Sequence, residues 1–325
     1  MNLQGIYAPY IEEYLQFKRD LGYKLRDIEY TFGQFDKLTL QTNESVVGIT
    51  KELADRWSEK RPNETLSTRY GRVSQIALLS KFLGNLGITS YVPELPKNKR
   101  SFVPYIFSKN EMVNLLSASD QYNLEFAMED STGLVIPTLL RILYGTGLRI
   151  GEALALKEED LNMESKTIFV RESKNGTERL VPMSESLTSV CGMFFDRKRS
   201  GTVPQRSSEW CFVKKNGAKY EKVTIYSSFR RVLTMAGIPH QGKGLGPRLH
   251  DLRHTFACHS LAAMHQSGLD LYHSLPVLST YLGHRCIEST EKYLQLTAEM
   301  FPGMMEQVTA NCGYVFPKAE KEVKL

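Results

Sequence analysis

Apolar residues in the first 95 positions recur at helical spacing. Between Tyr7 and Leu21 they fall at positions 10, 14, 17 and 21, with charged residues off that stripe. A second stretch runs from Ile28 to Leu38, and a third begins after Thr50, a good N-cap. The fourth, LSTRYGRVSQIALLSKFLGNLG, ends at one of its last two glycines. With no strand pattern before residue 90, residues 1–95 are predicted to form a small helical bundle.

The next segment, VPELPKNKRSFVPYIFSKNE, breaks the helical pattern. Its three prolines and the basic run from Lys97 to Arg100 predict a linker over residues 96–107. Ser108 followed by Glu111 three residues later is a capping-box pattern that begins a second domain. We place this domain at residues 108–310 and a C-terminal tail at 311–325.

The second domain mixes helical and strand patterns. LVIPTLLRILYGTGLRIGEALAL predicts a buried helix, a Gly-Thr-Gly break and another helix from Arg149. KTIFVRES and ERLVPM alternate like strands and are joined by an Asn-Gly turn, which predicts a hairpin, and EWCFVKKNGAKY offers another short strand. The pattern is helical again from Tyr226. The expected fold class is therefore mainly α with a small antiparallel β-sheet, a helical N-terminal domain preceding an α+β domain.

Composition narrows the class of protein. The formal net charge of +5 is compatible with nucleic-acid binding without showing it. The five cysteines are scattered with no C-x-x-C pair, which favours reduced thiols. The first twenty residues lack the apolar core of a signal peptide, and no run approaches 18 apolar residues, so we predict a cytoplasmic protein with no membrane partner.

The segment LHDLRHTFACH, residues 249–259, places His250 and His254 at the spacing of a zinc-binding helix. Arg253 shares their helical face, however, and its permanent positive charge opposes a cation. No glutamate follows His250 to act as the base of an H-E-x-x-H site. An arginine fork and an imidazole instead suit a phosphate anion, so we predict no metal here.

Four residues elsewhere strengthen the phosphate hypothesis. Arg149 begins a helix after a glycine break, where backbone and helix terminus favour anions. Lys174 lies at the Asn-Gly turn, His284 follows a glycine turn, and Tyr293 stands nine residues further on. Taken singly, each is more commonly a surface or packing residue.

Taken together, these residues resemble the catalytic pattern of the tyrosine recombinase (phage integrase) family. That pattern is an arginine in G-L-R-x-x-E, a hairpin lysine, an H-x-x-R box, a histidine in L-G-H and a later tyrosine. The matching positions are Arg149, Lys174, His250, Arg253, His284 and Tyr293, in the family's order. The resemblance covers about residues 105–300, and residues 1–95 look like the family's DNA-clamping core-binding domain.

The resemblance implies metal-independent cutting and rejoining of DNA, with no cofactor. Tyr293 would attack a phosphodiester and form a 3′-phosphotyrosyl bond. Lys174 would protonate the departing 5′ oxygen, and His250 would assist proton transfer at the tyrosine. The non-bridging oxygens would be held by the remaining three residues, which are Arg149, Arg253 and His284.

Two of these assignments have rivals in the sequence. Lys214 or Lys215, beside a second Asn-Gly turn, could replace Lys174 as the acid. Tyr281 is a rival nucleophile, although its position on the preceding helix favours packing.

The remaining polar residues near these motifs are interpreted as structural. We expect His254 and His259 to flank the site, and His254 to matter least to the chemistry. Asp251 would orient its helix, and Glu152 would act as a structural partner, since a carboxylate at the phosphate would repel it.

Basic residues outside the catalytic set could hold DNA phosphates. The expected contacts are Arg61, Arg69, Arg72, Lys97, Lys99 and Arg100, with the run DRKRS at 196–200 and the pair Arg230 and Arg231 as further candidates. Two domains joined by a basic linker could close round a duplex as a clamp.

The function expected from the resemblance is site-specific recombination of the integrase or mobile-element transposase type. As in the family, a homo-tetramer would act on two double-stranded DNA sites through a Holliday junction, with accessory DNA-bending or directionality proteins as possible partners. A type IB topoisomerase-like enzyme and a non-catalytic architectural DNA-binding protein are the alternatives. The chain departs from the family by several extra residues after Arg253, and we expect a longer loop or added turn at Asp270 to Pro276. The tail could be exchanged between subunits.

Overall fold

The structure is a computed structural model that describes residues 2–23, 25–97, 103–126, 132–171, 178–200, 209–240, 242, 246–284 and 286–300. The chain divides into two compact units, Met1–Phe102 and Val103–Leu325. The division falls inside the segment that the sequence predicts as a linker.

The N-terminal unit contains four helices in its described part. They are α1 (Ala8–Asp20), α2 (Arg26–Gln41), α3 (Lys51–Ser58) and α4 (Leu66–Asn85). The predicted cap is confirmed, because the Thr50 hydroxyl accepts a hydrogen bond from the Leu53 amide at 3.1 Å. The fourth helix ends as predicted, just before Gly87, whose φ of +80° suits glycine. The apolar stripes meet in an aromatic core in which Phe35 packs edge-on against Trp57.

The second unit contains eight α-helices in its described part. They are α5 (Lys109–Phe126), α6 (Thr132–Thr146), α7 (Ile150–Ala153), α8 (Glu185–Arg199), α9 (Lys222–Met235), α10 (Asp251–Gln266), α11 (Leu271–Leu282) and α12 (Glu288–Met300). The capping box at the start of α5 is confirmed. The Ser108 hydroxyl accepts from the Glu111 amide at 3.2 Å, and the Glu111 carboxylate accepts from the Ser108 amide at 2.8 Å.

The predicted sheet is small and antiparallel. Its strands β1 (Leu161–Asn162), β2 (Thr167–Val170) and β3 (Arg179–Pro182) lie in the order β1-β2-β3, and β1 follows a 3₁₀ turn at Glu158–Asp160. The hairpin of β2 and β3 is confirmed, with Ile168 opposite Val181. The segment around residues 210–220 forms only isolated bridges, among them Val213 with Lys219, rather than the extra strand that its composition suggested.

Two local predictions differ from the structure. The segment from Asp270 to Pro276 is not a loop, because helix α11 begins at Leu271 and continues through Pro276. Asp270 begins that helix by accepting from the His273 amide at 3.2 Å, and Pro276 lies in its second turn. The helix predicted from Arg149 is a single turn, α7, with Arg149 as its N-cap.

Helix α6 lies at the centre of the second unit. It packs against α5, α8, α9 and α10, and the residues along most of its length are buried. Its C-terminal end leads through Gly147 to Arg149, while α10, α11 and α12 form an adjoining cluster that contains Tyr293. The predicted site residues therefore meet where these helices converge. Among the described residues, no helix combines the length and apolarity needed to cross a membrane.

Candidate active site

Arg149 is held by a backbone turn that only glycine fits. Gly147 has a φ of +62°, and a Cβ there would lie 2.5 Å from the Phe256 ring. After this turn, the Arg149 amide donates to Glu152 Oε2 at 3.0 Å, and its Nη1 donates to Oε1 at 2.8 Å. The side chain remains partly exposed at the edge of a cleft.

Glu152 joins Arg149 to an arginine that the sequence analysis did not select. Arg179 of β3 donates from Nη2 to Glu152 Oε2 at 2.9 Å. Burial opposes ionisation of Glu152, but the hydrogen bonds and charges of Arg179 and Arg149 outweigh it and hold its pKa below the usual value. The structural role predicted for Glu152 is consistent with this ion-pair network.

Arg253 is the most enclosed cation of the group, with only 1% of its surface exposed. Its Nη1 donates to the Gly147 carbonyl at 2.7 Å, and its Nη2 donates to the Leu282 carbonyl at 2.7 Å and to His284 Nε2 at 3.0 Å. Burial lowers its pKa to about 10, helped by the charge of Arg149. Arg253 thus ties the turns before α7 and after α11 together.

His284 is neutral in this arrangement. Because arginine can only donate, His284 Nε2 accepts from Arg253, and its Nδ1 lies 2.8 Å from the Thr290 hydroxyl. Burial, together with the charge of Arg253, lowers the pKa of His284 to about 4. The ring also stacks beside Tyr293, with centroids 6.2 Å apart.

Tyr293 lies in the same cluster, with 1% of its surface exposed. Its hydroxyl forms a hydrogen bond of 2.9 Å with His254 Nδ1. Burial raises the pKa of Tyr293 to about 12, although the charge of Arg253 opposes this. His254, which the sequence analysis expected to matter least to the chemistry, thus contacts the predicted nucleophile itself.

His250 precedes α10 as its N-cap and meets His254 edge-on, with ring centroids 4.7 Å apart. It also lines a cleft of about 700 Å³ that is bordered largely by basic residues. The cleft residues include Arg149, Lys157, Arg171, Trp210, Lys219 and Lys222. Glu152 is the one carboxylate among the described residues that line the cleft, so basic side chains are in excess, and an excess of positive charge attracts an anion.

Several predicted residues lie elsewhere. Lys174, Lys99 and Arg100 fall outside the described residues. Tyr281, the rival nucleophile, stacks on Phe256 with centroids 5.4 Å apart, and Lys214 pairs with Glu221 at 3.7 Å. His259 Nδ1 lies 2.9 Å from the Tyr144 hydroxyl, and Asp251 accepts from the Arg248 amide at 2.8 Å.

The residues expected to contact DNA differ in their exposure to solvent. Arg61 and Lys97 are exposed, and Arg69 is half-buried with its Nε on the Ser58 carbonyl at 2.7 Å. Arg72 is instead buried in the N-terminal unit, where it pairs with Glu64 at 2.8 Å, so the structure does not support it as a phosphate contact. Lys198 of the DRKRS run is likewise buried against Glu158 at 2.5 Å. Arg230 and Arg231 are exposed on α9.

Neutral histidines with lowered pKa values make the stability of the second unit depend on pH. Burial lowers the pKa of His254 from 6.5 to about 3 and that of the half-buried His284 to about 4. Unfolded histidines therefore bind protons first, and stability should fall as pH drops from about 6.5 towards 4. Asp251, whose pKa burial raises to about 6, contributes with the opposite sign below that pH but is one group against two.

This pH dependence can be measured by urea unfolding from pH 7.5 to 4.5. We expect the free energy of unfolding to decrease steadily over that interval. His254→Asn should flatten the slope, whereas His273→Gln should leave it unchanged because His273 is almost fully exposed. Constant or increasing stability on acidification would contradict the buried, neutral state of these rings.

Comparisons with known proteins identify the family and the fold. The model of the phage integrase family matches residues 106–300. An integrase/recombinase of Sinorhizobium fredii is 29% identical over 302 residues, which are 92% of this chain and 95% of that protein. Tyrosine recombinase XerD of Listeria innocua is 27% identical over 299 residues, 90% of each chain. The Tn1549 transposon integrase, solved in complex with a circular intermediate DNA, has the same fold with a TM-score of 0.62 and 19% identity, over 87% of this chain and 94% of that one.

The fold is that of tyrosine recombinase catalytic domains, and the chain belongs to the phage integrase family. Its class is the site-specific tyrosine recombinases, enzymes that cleave and rejoin DNA. Within the described part of the chain, no group of three or more His, Cys, Asp or Glu side chains is arranged to hold a metal ion.

Proposed function

We propose that this recombinase cleaves DNA with Tyr293 as the nucleophile and a phosphate site built from Arg149, Arg253 and His284. The observation that supports the proposal is charge. The guanidinium groups of Arg149 and Arg179 share the one carboxylate of Glu152. The buried guanidinium of Arg253 binds two carbonyls and His284 instead. The surplus positive charge suits a phosphodiester and still better the more negative transition state of its displacement.

In the proposed reaction the Tyr293 oxygen attacks phosphorus and the bond to the 5′ oxygen breaks. Lys174 donates the proton that the departing 5′ oxygen takes up, and the 3′ phosphate stays on the tyrosine. His254 is the imidazole bonded to the phenol, and the contact at 2.9 Å makes it the first acceptor for the proton, with His250 beside it. Rejoining reverses these steps, so the energy of the broken bond is retained in the phosphotyrosyl link.

The described arrangement is a resting one. A nucleophile must approach phosphorus to about 3–3.5 Å, which a hydroxyl buried against His254 cannot do with duplex DNA. Part of α12 therefore has to move when DNA occupies the cleft. The same movement would release His284 Nδ1, which lies 2.8 Å from the Thr290 hydroxyl near the start of α12.

The proposed partner is double-stranded DNA carrying two recombination sites, bound by a homo-tetramer that proceeds through a Holliday junction. Arg61, Arg69, Lys97, Arg230 and Arg231 are the proposed backbone contacts among the described residues, with Lys99 and Arg100 added from the sequence. Closure of two domains round the duplex, exchange of the tail, and accessory proteins belong to the same proposal. The likeness to an integrase of a transposon favours a role in a mobile element.

Covalent capture from a pool of random-sequence duplexes, each nicked near its centre, tests this proposal. The wild-type protein should form SDS-resistant adducts in EDTA, and the captured duplexes should share a sequence. A plasmid with two copies of that sequence should then be deleted or inverted between them. Relaxation of supercoiled plasmids without the sequence, and no exchange, would favour the topoisomerase alternative, and absence of any adduct would overturn the proposal.

A further inference from the structure

Arg179 lies at the centre of a set of contacts that connect the sheet to the active site. Its side chain is 11% exposed. Nη2 donates to Glu152 Oε2 at 2.9 Å, and Nε donates to the Tyr281 carbonyl at 3.0 Å. Within the described part of the chain, its Nη1 is buried without a hydrogen-bond partner. A buried charged donor in this state is costly, so stability alone does not explain it.

The two ends of this bridge reach two groups of the proposed phosphate site. Glu152, on one side, also binds the amide and the guanidinium of Arg149. On the other side, Tyr281 stands just before the turn that carries His284. In that turn Gly283 has a φ of +66°, and a Cβ there would lie 3.1 Å from Arg179 Nη1. The Arg179 guanidinium thus packs against the turn at Gly283 and restricts the position of His284, which follows the turn.

We propose that Arg179 is a positioning residue for cleavage, holding Arg149 through Glu152 and His284 through the turn at Gly283. The inference rests on the proposed function of this site. It also specifies which step of cleavage depends on Arg179. Loss of Arg179 should weaken neutralisation of the non-bridging phosphate oxygens and spare protonation of the 5′ leaving group.

The alternative is that Arg179 acts through the hairpin. Lys174 precedes it by five residues, and β3 carries Arg179 at its first position. If Arg179 mainly seated the hairpin, its loss would impair the proposed acid instead. A third possibility is a purely structural ion pair. Each of these three roles predicts a different effect of Arg179 loss on adduct formation when the atoms of the scissile phosphate are changed.

The test measures adduct formation by Arg179→Met on the captured duplex in three forms. The first has the natural phosphodiester. In the second, a methyl group replaces one non-bridging oxygen of the scissile phosphate and removes its charge. In the third, sulfur replaces the 5′ bridging oxygen, so that the leaving group departs without a proton donor. Arg141→Met is the matched control, because Arg141 also bridges a carboxylate and a carbonyl, Asp120 at 2.7 Å and Pro137 at 3.2 Å, away from the site.

We expect Arg179→Met to slow cleavage of the natural duplex by about 10- to 100-fold, the scale of misplaced catalytic groups. The defect should shrink on the methyl-substituted duplex and persist on the sulfur-substituted one. Arg141→Met should stay within about twofold of the wild type on all three. Because Arg179 is proposed to act through Arg149, Arg149→Met combined with Arg179→Met should lose less than the product of the two single losses.

Other outcomes overturn the inference. If Arg179→Met formed adduct at the wild-type rate on the sulfur-substituted duplex, Arg179 would act through the hairpin. If its rate fell equally on all three duplexes, the role of Arg179 would be structural. Arg179→Lys is the second variant, since it keeps the charge but has no fork to reach both Glu152 and Tyr281; it should show the same pattern with a smaller loss. If the wild-type protein forms no adduct at all, the proposed function fails, which is a separate result.

Discussion

Replacing Tyr293 by phenylalanine is expected to abolish the covalent protein–DNA adduct. The phenol oxygen is the atom that would join phosphorus, and its loss leaves no acceptor for the 3′ phosphate. We expect a fall of more than roughly 10⁴-fold, the order found when an enzyme loses its nucleophile. Adduct formation on the nicked duplex, followed by denaturing electrophoresis, provides the measurement.

The matched control for this prediction is Tyr281→Phe. Tyr281 is a half-buried tyrosine on α11, and its ring stacks on Phe256. It should form adduct at the wild-type rate. Tyr293→Phe should still bind DNA, although it should unfold more easily by about 1–3 kcal/mol because His254 Nδ1 loses its partner. Persistent adduct in Tyr293→Phe together with its loss in Tyr281→Phe would assign the nucleophile to Tyr281.

Much of the fold follows from short-range features of the sequence. The Thr50 cap, the Ser108–Glu111 capping box and the hairpin that pairs Ile168 with Val181 each depend on a few neighbouring residues. Five of the six predicted catalytic residues lie in described segments. Arg253, His284 and Tyr293 are joined by a hydrogen bond and adjacent rings, and His250 reaches Tyr293 through His254. Arg149 follows the turn whose Gly147 carbonyl binds Arg253. Most of them lie in the first turn of a helix or in the turn before it, which the periodic pattern locates well, and Tyr293 lies within α12.

The features that sequence reasoning missed depend on partners distant in the chain. Arg179 meets Glu152 from 27 positions away, and His254 meets Tyr293 from 39. Spacing on one helix shows which side chains share a face but not what packs against it. Arg72 is an error in the opposite direction. The sequence suggested an exposed arginine, but the structure buries it in an ion pair with Glu64. The i, i+4 pair of His250 and His254 also has a partner that helical spacing did not reveal, since His254 contacts Tyr293.

Replacing Arg253 by lysine is expected to damage both the fold and the reaction. Lysine cannot reach the Gly147 and Leu282 carbonyls together, so one buried carbonyl loses its donor at about 1–3 kcal/mol. Loss of the fork should also slow cleavage by about 10²- to 10³-fold, the scale for removal of one donor to a transition-state oxygen. Urea unfolding measures the first effect, and adduct formation at a temperature where the variant stays folded measures the second.

The effects on stability and on cleavage can be separated with a second variant that loses similar stability outside the proposed site. Tyr122→Phe removes a buried hydrogen bond to Ser228 at 3.2 Å in the same unit, remote in sequence from every catalytic residue. It should lose stability and cleave DNA normally while folded. Arg253→Lys should bind DNA with an affinity close to that of the wild type, because its side chain is enclosed before DNA arrives. If Arg253→Lys cleaved as fast as Tyr122→Phe, Arg253 would be a structural tie between two turns, and the phosphate site would rest on Arg149 and His284 alone.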